Sequence, residues 1–266
     1  MRVIAVANQK GGVAKTTTCV NLAAEFAAVG KKVLVIDIDA QASASSSVLG
    51  NTDREKTMYD VMSGATPIDE IIEHSDSFGF DIAPGDILLS GVELQVAQVM
   101  GREKILSKKI KGLDYDIVLI DTPPSLGLLT VNALTAADSV LVTICPEYFS
   151  LRGIALLETT VNSVREQLES PVRIAGVLVT RYRDRVVTRE AEKIIRDYFG
   201  IRVFKTVIAE NIRLEEAHNA HQPISKYDPA SKGAQAYKDL AREILDGHPM
   251  WSAAAPPAQA APPPQG

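Results

Sequence analysis

Two lysines, Lys10 and Lys15, bracket the small residues Gly11, Gly12, Val13 and Ala14, and the hydroxyls of Thr16 and Thr17 follow. Small residues let backbone N–H groups come close to a ligand, and a helix opening at Thr16 adds the positive end of its dipole. Such a loop cradles phosphate. Lys15 takes the place of the lysine that meets the β- and γ-phosphates as a point charge. Thr16 takes that of the hydroxyl on Mg2+. Lys10, at the start of the loop, is a second cation beyond what a phosphate loop needs.

Three carboxylates stand where apolar runs end. Asp37 and Asp39 follow Val33–Ile36, and Asp121 follows Ile117–Ile120. Asp121 is expected to hold the metal, through water. Asp37 and Asp39 flank Ile38, so in an extended chain they point the same way. A polar strand end capping the next turn is the plain alternative. Phosphoryl transfer needs an acceptor beside the attacking water and little covalent chemistry from the protein. Asp39, further out, is assigned that role, and Asp37 is placed nearer the metal.

The elements that must position these groups follow from hydrophobic patterning. Val3–Ala7, Val33–Ile36, Ile117–Ile120, Ser139–Ile144 and Ile174–Val179 are apolar runs of the kind buried on both faces of a parallel sheet. Phe80–Ala83 and Val203–Val207 are further strands. Helices fit 16–29, 57–63, 67–74, 153–168, 188–199 and 233–245, with an interrupted one over 88–110. Residues 40–55, polar and serine-rich, read as a loop. Alternating strands and helices make an α/β fold: a P-loop NTPase with a mostly parallel central sheet, helices on both faces, and a single domain over residues 1–248. Ligands of such sheets lie beyond the carboxyl ends of the strands, where all three aspartates fall. Residues 249–266, Pro- and Ala-rich, read as a disordered tail.

Composition sets the outer limits. The chain has 266 residues, 46% hydrophobic and 23% charged, with a net charge of −5. These are values of a soluble globular protein, and global charge does not advertise nucleic acid. Cys19 and Cys145 have no metal-ligand spacing and read as buried, reduced thiols. No signal peptide and no membrane-length apolar run is visible.

Four stretches together, 10–17, Asp-Ile-Asp-Ala-Gln at 37–41, Asp-Thr-Pro-Pro-Ser-Leu at 121–126 and Asn-Ile-Arg-Leu-Glu-Glu-Ala at 211–217, resemble the ParA/Soj family of deviant Walker A partitioning ATPases. The resemblance runs over about residues 2–246. It implies a slow ATPase with ATP and Mg2+ as cofactors and a homodimer that forms around ATP. It implies Lys10 as the signature lysine reaching the partner's phosphates, Asp39 as the water-orienting residue and Asn211 as an adenine contact. A ParB-like protein would stimulate hydrolysis, and the cargo would be a chromosome or plasmid. Some positions depart from the family pattern. Ala14 replaces a common glycine, Ala40 a common proline, Glu210 a common arginine, and Arg152 stands where acids are frequent. The chain opens on its first strand, so an N-terminal helix-turn-helix domain is not expected.

Local charge points to DNA. Residues 173–213 carry a net charge of +5, which leaves −10 for the remainder. On the 188–199 helix, Ala191, Ile194, Ile195 and Tyr198 form the core stripe, and Arg189, Lys193 and Arg196 fall on the other side. Without interleaved aromatics, contacts should go to backbone phosphates and carry no base specificity. Family analogy adds Arg213. The expected location is the cytoplasm, on the nucleoid. Alternatives are a ParA-like positioning ATPase for another cargo, or a MinD-like membrane-associated one. The latter needs a basic amphipathic C-terminal helix, for which Gly-His-Pro-Met-Trp at 247–251 is a poor match. A cluster-binding enzyme would need interface cysteines, which neither Cys19 nor Cys145 supplies.

Overall fold

Strand β1 (Arg2–Ala7) runs through the middle of an eight-stranded sheet and delivers the chain into the loop before helix α1 (Lys15–Ala28). The computed structural model describes residues 1–248 apart from 52, 65, 148 and 149, and the backbone alone of 150–153. The tail expected over 249–266, Tyr148, Phe149 and the Arg152 side chain lie outside the described residues.

The chain continues through β2 (Val33–Asp37), α2 (Ser43–Leu49), α3 (Met58–Met62), β3 (Glu73–Ser75), β4 (Phe80–Ala83), α4 (Val92–Gln95) and α5 (Ile105–Lys109). Then come β5 (Ile117–Asp121), α6 (Leu128–Ala136), β6 (Ser139–Ile144), α7 (Ser150–Gln167), β7 (Arg173–Tyr182) and α8 (Val186–Phe199). The last are β8 (Val203–Ala209), α9 (Ile212–Asn219), α10 (Ile224–Tyr227) and α11 (Lys232–Leu245). The order across the sheet is β3-β4-β2-β5-β1-β6-β7-β8. Every neighbouring pair is parallel except β3–β4 at one edge. The expected α/β architecture is the observed one.

Alternation along β1 divides the core into two layers. Val3, Ala5 and Ala7 pack on one face with Leu134, Leu157 and Ile195. Ile4 and Val6 pack on the other with Leu22, Phe26, Tyr237 and Leu240. Each large side chain so buried contributes about 1.5–3 kcal/mol, which fixes strand register against the helices and with it the strand ends that carry the site.

Three local expectations are corrected. Residues 40–55 are not a plain loop, because Ser43–Leu49 is helical and buries Ala44 and Val48. The helix expected over 67–74 is a short 3-10 turn, Ile68–Glu70, followed by the edge strand β3. On α8, Ile195 and Phe199 are the buried residues, whereas Ile194 is half exposed.

Candidate nucleotide site

The loop between β1 and α1 turns through two left-handed residues, Gly12 (φ 70°) and Ala14 (φ 61°). Glycine takes that conformation freely, and alanine carries the strain at the position where the family commonly has glycine. The turn drives α1 out of the sheet without any side-chain cap on its first amides, and its first turn holds no acid. Those N–H groups are left for a ligand. A cavity of about 780 Å3 opens there, lined by Gly11, Gly12, Ala14, Lys15, Thr16 and Thr17. Asp39 and Gln41 lie on one side of it, and Arg181 with Ile208–Ile212 on the other.

Three loop carbonyls are held by side chains. Lys15 Nζ donates to Lys10 O (3.3 Å), Arg181 Nη1 to Gly12 O (3.0 Å) and Thr180 Oγ1 to Val13 O (3.0 Å). Across a trans peptide the next residue's N–H points the opposite way. Each bond therefore fixes the orientation of its peptide and of the amide that follows. Burial lowers the Lys15 ammonium below its ordinary range, and the nearby Asp121 and Asp39 carboxylates oppose that.

Asp37 and Asp121 are register partners at the ends of adjacent strands, and both are fully buried. Thr16 Oγ1 donates to Asp121 Oδ2 (2.7 Å), and the buried Asp121 Oδ1 has no hydrogen-bond partner. Burial raises the Asp121 carboxyl well above its usual range, with Asp37 adding to the rise. A desolvated carboxylate edge beside a threonine hydroxyl fits a divalent cation, which would relieve that repulsion.

Asp37, the acid placed nearer the metal, is held inside the fold. Its Oδ2 accepts from Ser45 N (2.8 Å) and Ser45 Oγ (2.7 Å), and its Oδ1 from Asp39 N (3.2 Å). It anchors α2, and Gly85 permits this: a Cβ there would stand 2.7 Å from Asp37 O. Burial pushes the Asp37 carboxyl up to about 6. Of the two aspartates flanking Ile38, Asp39 is the one that lines the cavity, its Oδ1 accepting from Gln41 N (3.0 Å).

Lys10, the residue before Gly11, is half exposed, its ammonium paired with Glu147, which also accepts from Cys145 Sγ (3.3 Å). That pairing holds Glu147 below the usual carboxylate range. Cys145 is half-buried and Cys19 fully buried, and burial raises both thiols. Asn211 lines the far end of the cavity, and its Oδ1 caps α9 by accepting from Arg213 N (2.9 Å). Sequence reasoning missed Ser45, Glu147, Thr180 and Arg181. The last two end an apolar strand, the signal that singled out the aspartates.

The four basic residues expected to meet DNA are dispersed in character. Arg189 pairs with Asp184 (2.6 Å), and Arg213 with Glu216 (2.6 Å) and Asp228 (3.6 Å). Arg196 is partly buried, pairs with Glu192 (2.7 Å) and donates to Phe204 O (3.0 Å), so it fastens α8 to β8. Lys193 is exposed and makes no ion pair among the described residues.

A doubly wound sheet with an uncapped, lysine-bearing loop at a central strand defines a P-loop nucleotide-binding protein. A family model described as "AAA domain" matches residues 1–174. The sporulation initiation inhibitor protein Soj of Bacillus subtilis is 42% identical over 91% of this chain and 98% of its own length. The chromosome partitioning protein ParA of Caulobacter vibrioides is 41% identical over 92% and 94%. Among solved structures, cobyrinic acid a,c-diamide synthase of Mycobacterium smegmatis with bound ADP and magnesium superposes with a TM-score of 0.80. It is 32% identical, over 92% of this chain and 94% of that one. The cell division ATPase MinD of Pyrococcus furiosus gives 0.77 at 28% identity, over 92% and 98%. The chain belongs to the Soj/ParA family and is an ATPase.

Proposed function

We propose that this chain is a DNA-partitioning ATPase whose ATP-bound form is a homodimer. Mg2+-ATP occupies the cavity, with phosphates on the Gly11–Thr17 loop. Thr16 and Asp121 would hold the metal, which would supply positive charge to neutralise the phosphates. Asp39 accepts a hydrogen bond from the attacking water. Lys15 holds the β- and γ-phosphates, and Lys10 of a second copy supplies a further cation, as an arginine finger does. The carrying observation is Lys10: its half-exposed ammonium pairs with Glu147 and, unlike Lys15, does not line the cavity, which suits a partner's phosphates better than its own.

In this reading the dimer holds double-stranded DNA without sequence preference through Arg189, Lys193 and Arg213, and localises to the nucleoid. Exposed ion pairs are worth about 0.2–1 kcal/mol each, so phosphates can displace their acidic partners. A ParB-like protein accelerates hydrolysis and ends the DNA-bound state. Among the described residues no helix is long and apolar enough to cross a membrane. DNA co-sedimentation with ADP, ATP and a nonhydrolysable analogue tests the reading. Retention with ATP or the analogue and not with ADP supports it; retention indifferent to nucleotide contradicts it.

A further inference from the structure

Thr180 and Arg181 are consecutive residues of β7, yet both bond to carbonyls of the phosphate loop. Successive strand residues ordinarily point to opposite faces. The exception has a visible cause. Arg181 adopts a left-handed backbone (φ 50°), and the β7–β8 register shifts between Val179 and Tyr182. A non-glycine residue in that conformation is uncommon, and such outliers gather at ligand sites.

The distortion carries the Arg181 guanidinium across the cavity. One end donates to Gly12 O (3.0 Å) and the other to Glu210 Oε1 (3.3 Å). Glu210 is also held by Arg183 Nη2 (2.7 Å), and the two arginines pull its carboxyl down to about 2. The plane of Arg181 is thus fixed at both edges. It lines the cavity where the phosphate loop meets the β8 end, beside Asn211 and the apolar Ile208 and Ile212.

We infer that Arg181 is a wall of the base pocket, its fixed guanidinium plane stacking on the purine ring of the bound nucleotide. This rests on the reading that the cavity takes a nucleotide by its phosphates at α1. The phosphates then occupy the loop, and the base extends toward the β8 end, against this plane. A guanidinium stacks well on flat heteroaromatic rings. Its charge is already shared with Glu210 and its edge donors with Gly12 O, so its open surface is its face, which suits a ring better than a phosphate. A purine offers that face more area than a pyrimidine.

The test is a set of affinities, by calorimetry and competition, of the full chain for Mg2+-ADP and Mg2+-UDP. Arg181→Ala should weaken ADP by about tenfold and UDP by much less, narrowing the purine preference. Arg181→Lys keeps the charge and loses the plane, and should show the same narrowing in a folded protein even if the alanine variant does not fold. Equal losses for both nucleotides would mean that Arg181 acts only through the loop, and would overturn the inference. Unchanged affinities would overturn it as well. Failure of the unsubstituted chain to bind ADP at all would instead strike the nucleotide reading itself.

Discussion

Lys10 and Glu147, 137 residues apart in the chain, form an ion pair next to Gly11, which lines the cavity. β1 and β6 are adjacent parallel strands, so the residues just beyond their carboxyl ends meet there. In the free chain Glu147 gives Lys10 an intramolecular partner. In the proposed dimer, pairing with a second copy's triphosphate would have to displace it. Glu147→Gln should therefore let the ATP-bound dimer form at lower protein concentration. Sedimentation with a nonhydrolysable analogue measures it, and an unchanged dimer dissociation constant would exclude competition.

Asp121 and Thr16 predict a metal-specific defect. Thr16→Ala removes the hydroxyl and the hydrogen bond to Asp121 (2.7 Å). Nucleotide affinity in Mg2+ should fall by at least about tenfold, while affinity in EDTA should change little. Equal losses in both buffers would assign Thr16 to phosphate alone.

Asp39→Ala should slow turnover by about 10²-fold with nucleotide affinity retained, since it removes an acceptor for the attacking water. Asp37→Asn should leave turnover nearer normal, because Asp37 is committed to Ser45 and Asp39 N. Single-turnover rates of both variants decide between the two acids. A larger loss at Asp37 would reverse the assignment.

Asp37 also predicts a pH dependence. Its folded carboxyl, raised to about 6 from 3.8, binds its proton more tightly in the folded chain than in the unfolded one. Its contribution to stability is fully present at low pH and is lost as pH rises from about 4 to about 6. The nucleotide-free Asp37→Asn variant lacks that loss. Its melting temperature relative to the unsubstituted chain should climb across that interval and level off above it. A constant difference would mean that Asp37 is not raised.

On α8, Lys193→Glu and Arg189→Glu should weaken DNA binding and lower its salt slope without changing ATP affinity. Arg196→Ala should instead lower thermal stability, by about 1 kcal/mol, because it removes the bond to Phe204 O. If Arg196→Ala weakened DNA binding at unaltered stability, the division between the two roles would fail.

What the sequence made legible was the geometry written in short range. Glycines, lysines and a buried strand specify the β1–α1 loop, and the acids at strand ends follow from the parallel topology. What it hid depends on distant partners. Residues 40–55 look like a loop because serines favour turns, but Asp37 receives Ser45 and anchors α2. α6 shows no polar face because it is covered on most sides, so its period is invisible. Arg196 reads as a solvated cation until β8 places Phe204 O beneath it. Arg181 joins the site only because its backbone leaves the strand pattern, which composition does not encode.

The proposed dimer depends on Lys10 serving a second copy's nucleotide. Light scattering gives the molar mass of the chain with Mg2+ and a nonhydrolysable ATP analogue. It should rise to twice the 28.7 kDa of one chain, and Lys10→Ala should remain at 28.7 kDa while still binding the analogue. A Lys10→Ala protein that pairs as readily as the unsubstituted one, or an unsubstituted chain that stays single at saturating analogue, would contradict the account.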